Sequence, residues 1–294
     1  RIKHWLPEMS EQGVKHFAQL AESAEGLSRL EQVEKEGQAL EAAMEAYISS
    51  PTQGEKGSRL ETVTRTFRKR FAEQLKKAWR EGYTQLHDTN APQDSVIKLD
   101  LSEVIWPDDL PALPIDLGLV RHLNLSECDF STEHADFLRH FPNLRVLDLS
   151  DNSLDRLPAA VAQMRSLRGI NLSNNQIVLD DAAIAHLRDL TSLRAIYLSD
   201  NPLGQVPDIS RMPDLLELDL DDTGISEWPA GLFEHDRDAR FNLLLRGNPI
   251  TTLPDVVMGG DEAFVIATAR LDPSTLDAES RSLMDEYKRS VGID

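Results

Sequence analysis

Leu144-Arg145-Val146-Leu147-Asp148-Leu149-Ser150-Asp151-Asn152-Ser153-Leu154 sets apolar residues at its first, fourth, sixth and eleventh places and an asparagine at its ninth. Moving outward, the same frame returns. Downstream it is carried by Leu167, Ile170, Leu172, Asn175 and Ile177, and again by Leu193, Ile196, Leu198, Asn201 and Leu203. Leu215, Leu218, Leu220, Thr223 and Ile225 form a copy with threonine at the ninth place, and Leu243, Leu245, Asn248 and Ile250 one without the first leucine. Upstream lie Val120, Leu123, Leu125, Cys128 and Phe130, then the most divergent copy, Val96, Leu99, Leu101, Val104 and Trp106. The central apolar residue falls at 99, 123, 147, 170, 196, 218 and 243, a period of 22 to 26 residues held over seven copies.

This is the leucine-rich-repeat pattern, and the period is within its range. In each copy the alternating apolar-x-apolar stretch predicts a short strand with every second side chain turned inward. One coil alone leaves its apolar side in water. Stacked coils join their strands into a parallel sheet over a continuous core. The expected fold is therefore α/β: a solenoid of about seven repeats, its parallel sheet on the concave face, with helical caps at both ends. The ninth-place residues, Cys128, Asn152, Asn175, Asn201, Thr223 and Asn248, are expected to form a structural ladder whose side chains satisfy backbone groups at the turn leaving each strand. Three copies carry a proline beyond it (Leu157-Pro158, Val206-Pro207 and Leu253-Pro254), which suits a tight turn because proline fixes φ and donates nothing. In two others, Thr132 to His140 and Asp180 to Leu190, helical spacing is expected, with Ile184 and Leu187 facing inward.

Open ends of such a stack need covering. Three parts are expected: residues 1–90 as an N-terminal helical domain or cap, 91–255 as the repeats, and 256–294 as a C-terminal helical cap and linker. Pro7 to about Ile48 predicts one or two helices burying Phe17, Leu20, Leu27, Leu30, Val33, Leu40, Met44 and Tyr47. Ser58 with Glu61 forms a capping box for a further helix. Its inner stripe would be Leu60, Val63, Phe67, Phe71, Leu75, Trp79, Tyr83 and Leu86. Seven basic residues between Arg65 and Arg80 are expected to be solvated, or paired with acids of the repeats, while the stripe packs on the first coil. At the far end, Asp261 to Arg270 and Leu276 to Ser290 predict helices anchored by Leu283, Met284 and Tyr287.

Charge narrows the function. The net charge is -19, yet residues 1–90 hold 14 basic and 14 acidic residues, so the whole excess lies beyond them. Such a surface repels phosphate backbones, and nucleic acid is not an expected partner. No apolar run approaches the ~20 residues of a membrane span. The one cysteine, Cys128, forms no intramolecular disulfide. No phosphate-cradling loop, zinc-spaced His/Glu pair or nucleophile elbow occurs, so no catalytic residue, metal or cofactor is expected. Asp219-Leu-Asp221-Asp-Thr223-Gly224 imitates the start of a calcium loop, but Ala230 stands where a bidentate glutamate is needed. The chain begins at Arg1 and is expected to be part of a longer protein.

The candidate binding surface is the outward face of the strands. Arg121, Arg145, Arg168 and Arg194 recur one place after each copy's first apolar residue. Asn124, Asp148, Asn171, Tyr197 and Asp219 form a second column, and Glu103, Glu127, Asp151, Asp200 and Asp222 line the turn edge. Pairing between the arginines and neighbouring acids would leave only an exposed charge ladder, contributing ~0 to 1 kcal/mol per pair. Arginine and tyrosine dominate binding energies, so Arg145, Arg168, Arg194 and Tyr197 are the leading candidates for protein contact.

Four stretches carry a further resemblance: Arg70 to Arg80 (RFAEQLKKAWR), Asp222 to Pro229 (DTGISEWP), Leu245 to Ile250 (LRGNPI) and Asp277 to Tyr287 (DAESRSLMDEY). In this order they resemble the repeat region of large bacterial effectors that end in an NEL-type ubiquitin ligase domain. The resemblance implies a module that selects a host protein for a cysteine-dependent ubiquitin transferase encoded outside these residues. A ubiquitin-conjugating enzyme would be a partner of that domain, and secretion into the host cytoplasm is implied as well. In that family the catalytic cysteine stands in a Cys-x-Asp setting. Cys128 is followed directly by Asp129 and carries no such role. The alternative is a free-standing leucine-rich adaptor or scaffold without ligase activity.

Overall fold

The computed structural model describes residues 1–52, 56–92, 95–103 and 110–293. Val104 and Trp106, of the most divergent copy, lie outside the described residues, as does Asp294. Each copy forms a three-residue strand: β1 Lys98–Asp100, β2 His122–Asn124, β3 Val146–Asp148, β4 Gly169–Asn171, β5 Ala195–Tyr197, β6 Glu217–Asp219 and β7 Asn242–Leu244. They follow chain order in one seven-stranded sheet. The register pairs equivalent residues, with Leu147 opposite Ile170, Ile170 opposite Ile196 and Ile196 opposite Leu218, all parallel. The central residue of every strand is buried and its two neighbours are partly or fully exposed, as alternation requires. At ~1.5–3 kcal/mol for each buried leucine or isoleucine, the shared core of the coils is what holds them together.

Contacts divide the chain into two compact units, Arg1–Asn124 with Asp136–Leu144, and Leu125–Ala135 with Arg145–Asp294. The first contains α1 Ile2–Trp5, α2 Glu11–Leu20, α3 Ala24–Ser49 and α4 Arg59–His87, followed by β1 and β2. Ser10, Ser23 and Ser58 cap the last three of these helices, each hydroxyl accepting from a backbone N–H three residues on. The capping box is modified: the Glu61 carboxylate reaches the N–H of Gly57 rather than that of Ser58. Leu30, Val33, Leu40, Met44 and Tyr47 of α3 are buried, as are Phe67, Phe71, Leu75 and Trp79 of α4, and α3 packs on α4. Gly37 permits that approach, since a Cβ there would fall within 3 Å of the Trp5 and Trp79 rings.

Five expected core residues are exposed instead. Leu20 and Leu27 flank the turn at Ala21–Ser23 that separates α2 from α3, so neither lies on the continuous stripe of one helix. Leu60 and Val63 precede the point where Arg65 and Arg68 bond the carbonyls of Ile48, Ser50 and Pro51, so they lie beyond the end of α3. Leu86 loses its place to His87, which stacks on Phe17 at 4.3 Å. Burial holds the His87 imidazole below its usual pKa, assisted by Arg29 and His16. Lys69 and Arg70 of α4 are exposed, as expected of solvated residues, while the ion pairs of its other basic residues run, among the described residues, to acids of the helices rather than of the repeats. Arg65 pairs with Glu61, Lys76 with Glu73, Lys77 with Glu81 and Arg80 with Glu41. Arg68 is only 1% exposed, with its guanidinium over the Tyr47 ring.

In the second unit the convex turns vary in form. Thr132–His140, which is divided between the units, is a 3₁₀ helix, and so is Ala159–Gln163; α5 spans Asp181–Arg188. Ala183 and Leu187 of α5 are buried and Ile184 is half-buried. Beyond β7, Arg270 exchanges backbone hydrogen bonds with Leu243 and Leu245, which covers an edge that would otherwise present unpaired groups. Then α6 (Asp261–Thr268) and α7 (Ala278–Ser290) close a small core of Ala263, Ile266, Ala267, Met284 and Tyr287, with Leu283 against it. The Tyr287 hydroxyl donates to Pro254 O and accepts from Val256 N–H. Among the described residues no helix is long and apolar enough to cross a membrane.

Candidate functional site

The coils of the second unit turn sharply after their strands, and three devices recur in these turns, though not all in every coil. The first lies one place past the strand's central residue. Asp148, Asn171 and Asp219 each accept, through the side-chain oxygen, the N–H two residues on, at 3.0–3.1 Å. These residues were expected to face a partner, and they also fasten their own turns. The second device is a residue with positive φ before every ladder position: Glu103, Glu127, Asp151, Asn174, Asp200 and Asp222 at 51–58°, and Gly247 at 68°. The expected acidic line along the turn edge is thus a line of left-handed residues, a conformation that Asn, Asp and Gly tolerate better than most. Only the glycine of the last copy signals this in the sequence.

The third device is the ladder itself. Asn152 Oδ1 accepts from the N–H groups of Cys128 (3.0 Å) and Phe130 (2.8 Å), while Nδ2 donates to Leu125 O, Leu149 O and Ser150 O. Asn175 accepts from Leu154 N–H and donates to the carbonyls of Leu149, Leu172 and Ser173. Asn201 accepts from Ile177 N–H and donates to the carbonyls of Leu172, Leu198 and Ser199. Asn248 repeats the pattern, accepting from Thr223 and Ile225. Thr223 lacks an amide but donates its hydroxyl to Leu220 O and to Asn248 Oδ1. Cys128 is buried, with its sulfur 3.1 Å from Ser126 O. Each amide therefore ties its own turn to the preceding coil.

On the outward face the arginines behave differently. In β3 to β5 their backbones are linked in series: Arg168 N–H donates to Arg145 O (2.8 Å) and Arg194 N–H to Arg168 O (2.7 Å). All three side chains are exposed, and none makes a hydrogen bond or ion pair among the described residues. The expected pairing with acids is absent from this run. Elsewhere in the unit it is present, in Arg156–Asp155, Arg188–Asp208, Arg211–Asp189 and Arg240–Asp238. Side by side in water, like charges ~6 Å apart repel by roughly 0.7 kcal/mol per neighbouring pair. Arg121, in the first unit, is half-buried and donates to the carbonyls of Gly118 and Val120. It is fastened to its own loop. After Arg194 the series continues through Leu216, whose N–H donates to Arg194 O.

Between the arginines and the turn-side column lies a floor that the sequence pattern did not single out: Val146, Gly169 and Ala195, in register. Gly169 leaves a recess, since a Cβ there would meet only the Val146 side chain, at 3.9 Å. On the far side Tyr197 donates its hydroxyl to Glu217 at 3.0 Å. Burial, with Glu217 beside it, pushes the phenol up to about 12. Asn124 is half-buried at the corresponding place in the first unit. Asp221 is held above the usual carboxylate range, chiefly by burial. No group of His, Cys, Asp or Glu arranged to hold a metal ion occurs among the described residues, and Asp219 to Gly224 form the strand end and turn described above.

Comparison with known proteins agrees with this geometry. A family model described as leucine rich repeat matches residues 118–177. The chain is 38% identical over 82 residues to a protein phosphatase 1 regulatory inhibitor subunit homolog of Arabidopsis thaliana. The match covers 27% of this chain and 24% of that protein. It is 31% identical over 156 residues to human oligodendrocyte-myelin glycoprotein, covering 46% of this chain and 34% of the relative. The matches thus span well under half the length of these curated relatives. Among solved structures, an internalin of Listeria monocytogenes aligns at 15% identity and a TM-score of 0.44, over 65% of this chain and 58% of that one. The leucine-rich-repeat domain of the type III effector XopL aligns at 20% and 0.44, over 74% and 76%. A seven-stranded sheet in chain order, the asparagine ladder and the matched repeat model together establish a leucine-rich-repeat fold.

Proposed function

We propose that this chain is a protein-binding leucine-rich-repeat module, and that it is the recognition region of a bacterial effector ubiquitin ligase whose catalytic domain lies outside these residues. The observation that carries the binding half is the run Arg145, Arg168 and Arg194: exposed, linked strand to strand through their backbones and without a partner among the described residues. Exposed guanidiniums are frequent anchors of protein interfaces. The ligase half rests on the four sequence stretches that resemble the NEL-type effectors. In that reading the chain itself performs no chemistry. It holds a host protein beside a cysteine-dependent transferase, after secretion into the host cytoplasm, and a ubiquitin-conjugating enzyme engages the other domain.

The test uses the full-length parent protein, a ubiquitin-activating and conjugating system and host-cell lysate. Ubiquitin transfer by the parent is expected, with one or a few host proteins labelled above background. Exchange of Arg145 and Arg194 for glutamate should lower that labelling more than tenfold while self-modification of the ligase stays within twofold. A parent protein that transfers no ubiquitin under any of these conditions returns the module to the stand-alone adaptor reading.

A further inference from the structure

We infer that the face formed by β3, β4 and β5 takes an extended acidic segment of its partner, with carboxylates set on alternate residues and turned toward Arg145, Arg168 and Arg194. This rests on the proposal that the face is where a protein binds, and adds the chemistry of what is bound.

The occupant follows from charge and from spacing. The part of the chain outside residues 1–90 carries all of the net charge of -19, yet three cations in a row are left without an anion among the described residues. Arg156, Arg188 and Arg211 of the same unit each pair with an aspartate. An anionic partner completes the run, and its approach is favoured by three neighbouring positive charges. Neighbouring strands lie ~4.8 Å apart, so three successive arginines span about 9.6 Å. Same-side residues of an extended chain repeat every ~6.7 Å, so two carboxylates at positions i and i+2 fall within reach of three guanidiniums.

The floor and the far rim fix the orientation. Val146, Gly169 and Ala195 are small enough for a backbone to lie over them, and Gly169 provides the recess. Asp148 and Asp219, in the turn-side column, lie on the other side of the floor from the arginines, where a second row of carboxylates would be repelled. Acids on both sides of the segment are therefore disfavoured, and acids on one side are accepted. Phosphate groups would satisfy the same guanidiniums, so a phosphopeptide is the competing ligand in the test.

The experiment is fluorescence anisotropy with the full chain and three labelled eight-residue peptides: four Glu-Ser repeats, four Lys-Ser repeats and four phosphoserine-Gly repeats. The Glu-Ser peptide should bind at least tenfold more tightly than either of the others, and weaken at least tenfold between 50 and 300 mM NaCl. Arg168→Glu should reduce its affinity more than tenfold. Arg156→Glu, on the turn side and paired with Asp155, should change it less than twofold. Thermal melts of both variants establish that they are folded, and the charge-neutral Arg168→Gln, expected to lose three- to fivefold, provides a milder second variant. Equal binding of the lysine peptide, tighter binding of the phosphopeptide, or an Arg168→Glu variant with unchanged affinity each overturn the inference. If the Glu-Ser peptide fails while the arginine reversals still abolish labelling by the full-length ligase, the acidic chemistry falls and the binding face stands. If the peptide binds as expected and the parent transfers no ubiquitin, only the ligase reading falls.

Discussion

Two columns run through the second unit with the same periodicity and opposite fates. The ladder of Asn152, Asn175, Asn201 and Asn248 lies at the turn, each amide spending both of its ends on backbone groups. The run Arg145, Arg168 and Arg194 lies at the strand entry, on the same coils, and spends nothing inside the described chain. Repetition alone would rank them equally. What separates them is satisfaction: a buried polar group must find partners within the fold, whereas an exposed cation without one is held ready for something outside.

That contrast is broken most directly at Asn201. Removing its amide by Asn201→Ala strips one acceptor and a shared donor from the turn. Ile177 N–H, Leu172 O, Leu198 O and Ser199 O lose their bonds to it, in a site of 2% exposure. Unmade buried hydrogen bonds cost ~1–3 kcal/mol each, part of which relaxation recovers, so a loss of about 3 kcal/mol is expected. The urea midpoint of the second unit should fall accordingly, and the melting temperature by roughly 6–12 °C. A loss below about 1 kcal/mol would mean that the ladder is decoration. Reversal of Arg145 and Arg194 to glutamate should act the other way round. Partner binding should weaken about a hundredfold, ~2.7 kcal/mol, while the melting temperature holds or rises slightly, because Arg168 then lies between two acids. A destabilised double variant would show that the arginines belong to the fold after all.

Much of this could be read from the residues, and the limits of that reading have physical causes. Seven coils and six ladder positions follow from side-chain type and spacing alone, since a strand with one buried face must alternate and a buried turn must contain an acceptor and donors. Left-handed residues were hidden because glutamate, aspartate, asparagine and glycine share that place, and only Gly247 announces it. The turn-fastening role of Asp148, Asn171 and Asp219 was hidden for a related reason: an Asx turn uses the same residue types as a polar interface. Whether an arginine is paired depends on distances of a few ångströms, which no pattern of letters contains. Thus Arg121 and Arg168 looked alike until one was found bonded to Gly118 O and the other to nothing among the described residues. Helix ends failed likewise, because Leu60 and Val63 fit the period of α4 but outrun α3.

Tyr197 sharpens the comparison through pH. Its phenol reaches across to the next coil, donating to Glu217. The neutral form is favoured in the fold, with ionisation moved from 10 to about 12 by burial first and by Glu217 second. A group whose folded pKa is raised contributes stability that is complete below the unfolded value and lost as pH rises through the folded one. The second unit should therefore lose stability between pH 10 and 12, and Tyr197→Phe should flatten that part of the profile. Absorbance titration at 295 nm should show one tyrosine ionising near 12 that is missing from the variant. If Tyr197 titrates near 10, the contact with Glu217 is not maintained in solution and this residue joins the arginines as an uncommitted surface group.

The smallest effect concerns a column that is neither buried nor uncommitted. Glu127 is exposed and takes φ 54°, a conformation that places its Cβ near the following carbonyl and costs an ordinary residue about 1–2 kcal/mol. Glu127→Gly removes that strain but frees the unfolded backbone, which returns ~0.5–1 kcal/mol to the unfolded state. The difference should leave the variant more stable by about 0.5 kcal/mol, and Glu127→Asn should gain as much without the entropic loss. Chemical denaturation of both variants beside Glu127→Ala, which keeps the strain, resolves the point. Should glycine and asparagine both destabilise, the carboxylate rather than the backbone angle is what the position requires. The turn edge would then have to be counted with the arginines as a surface that the fold itself does not explain.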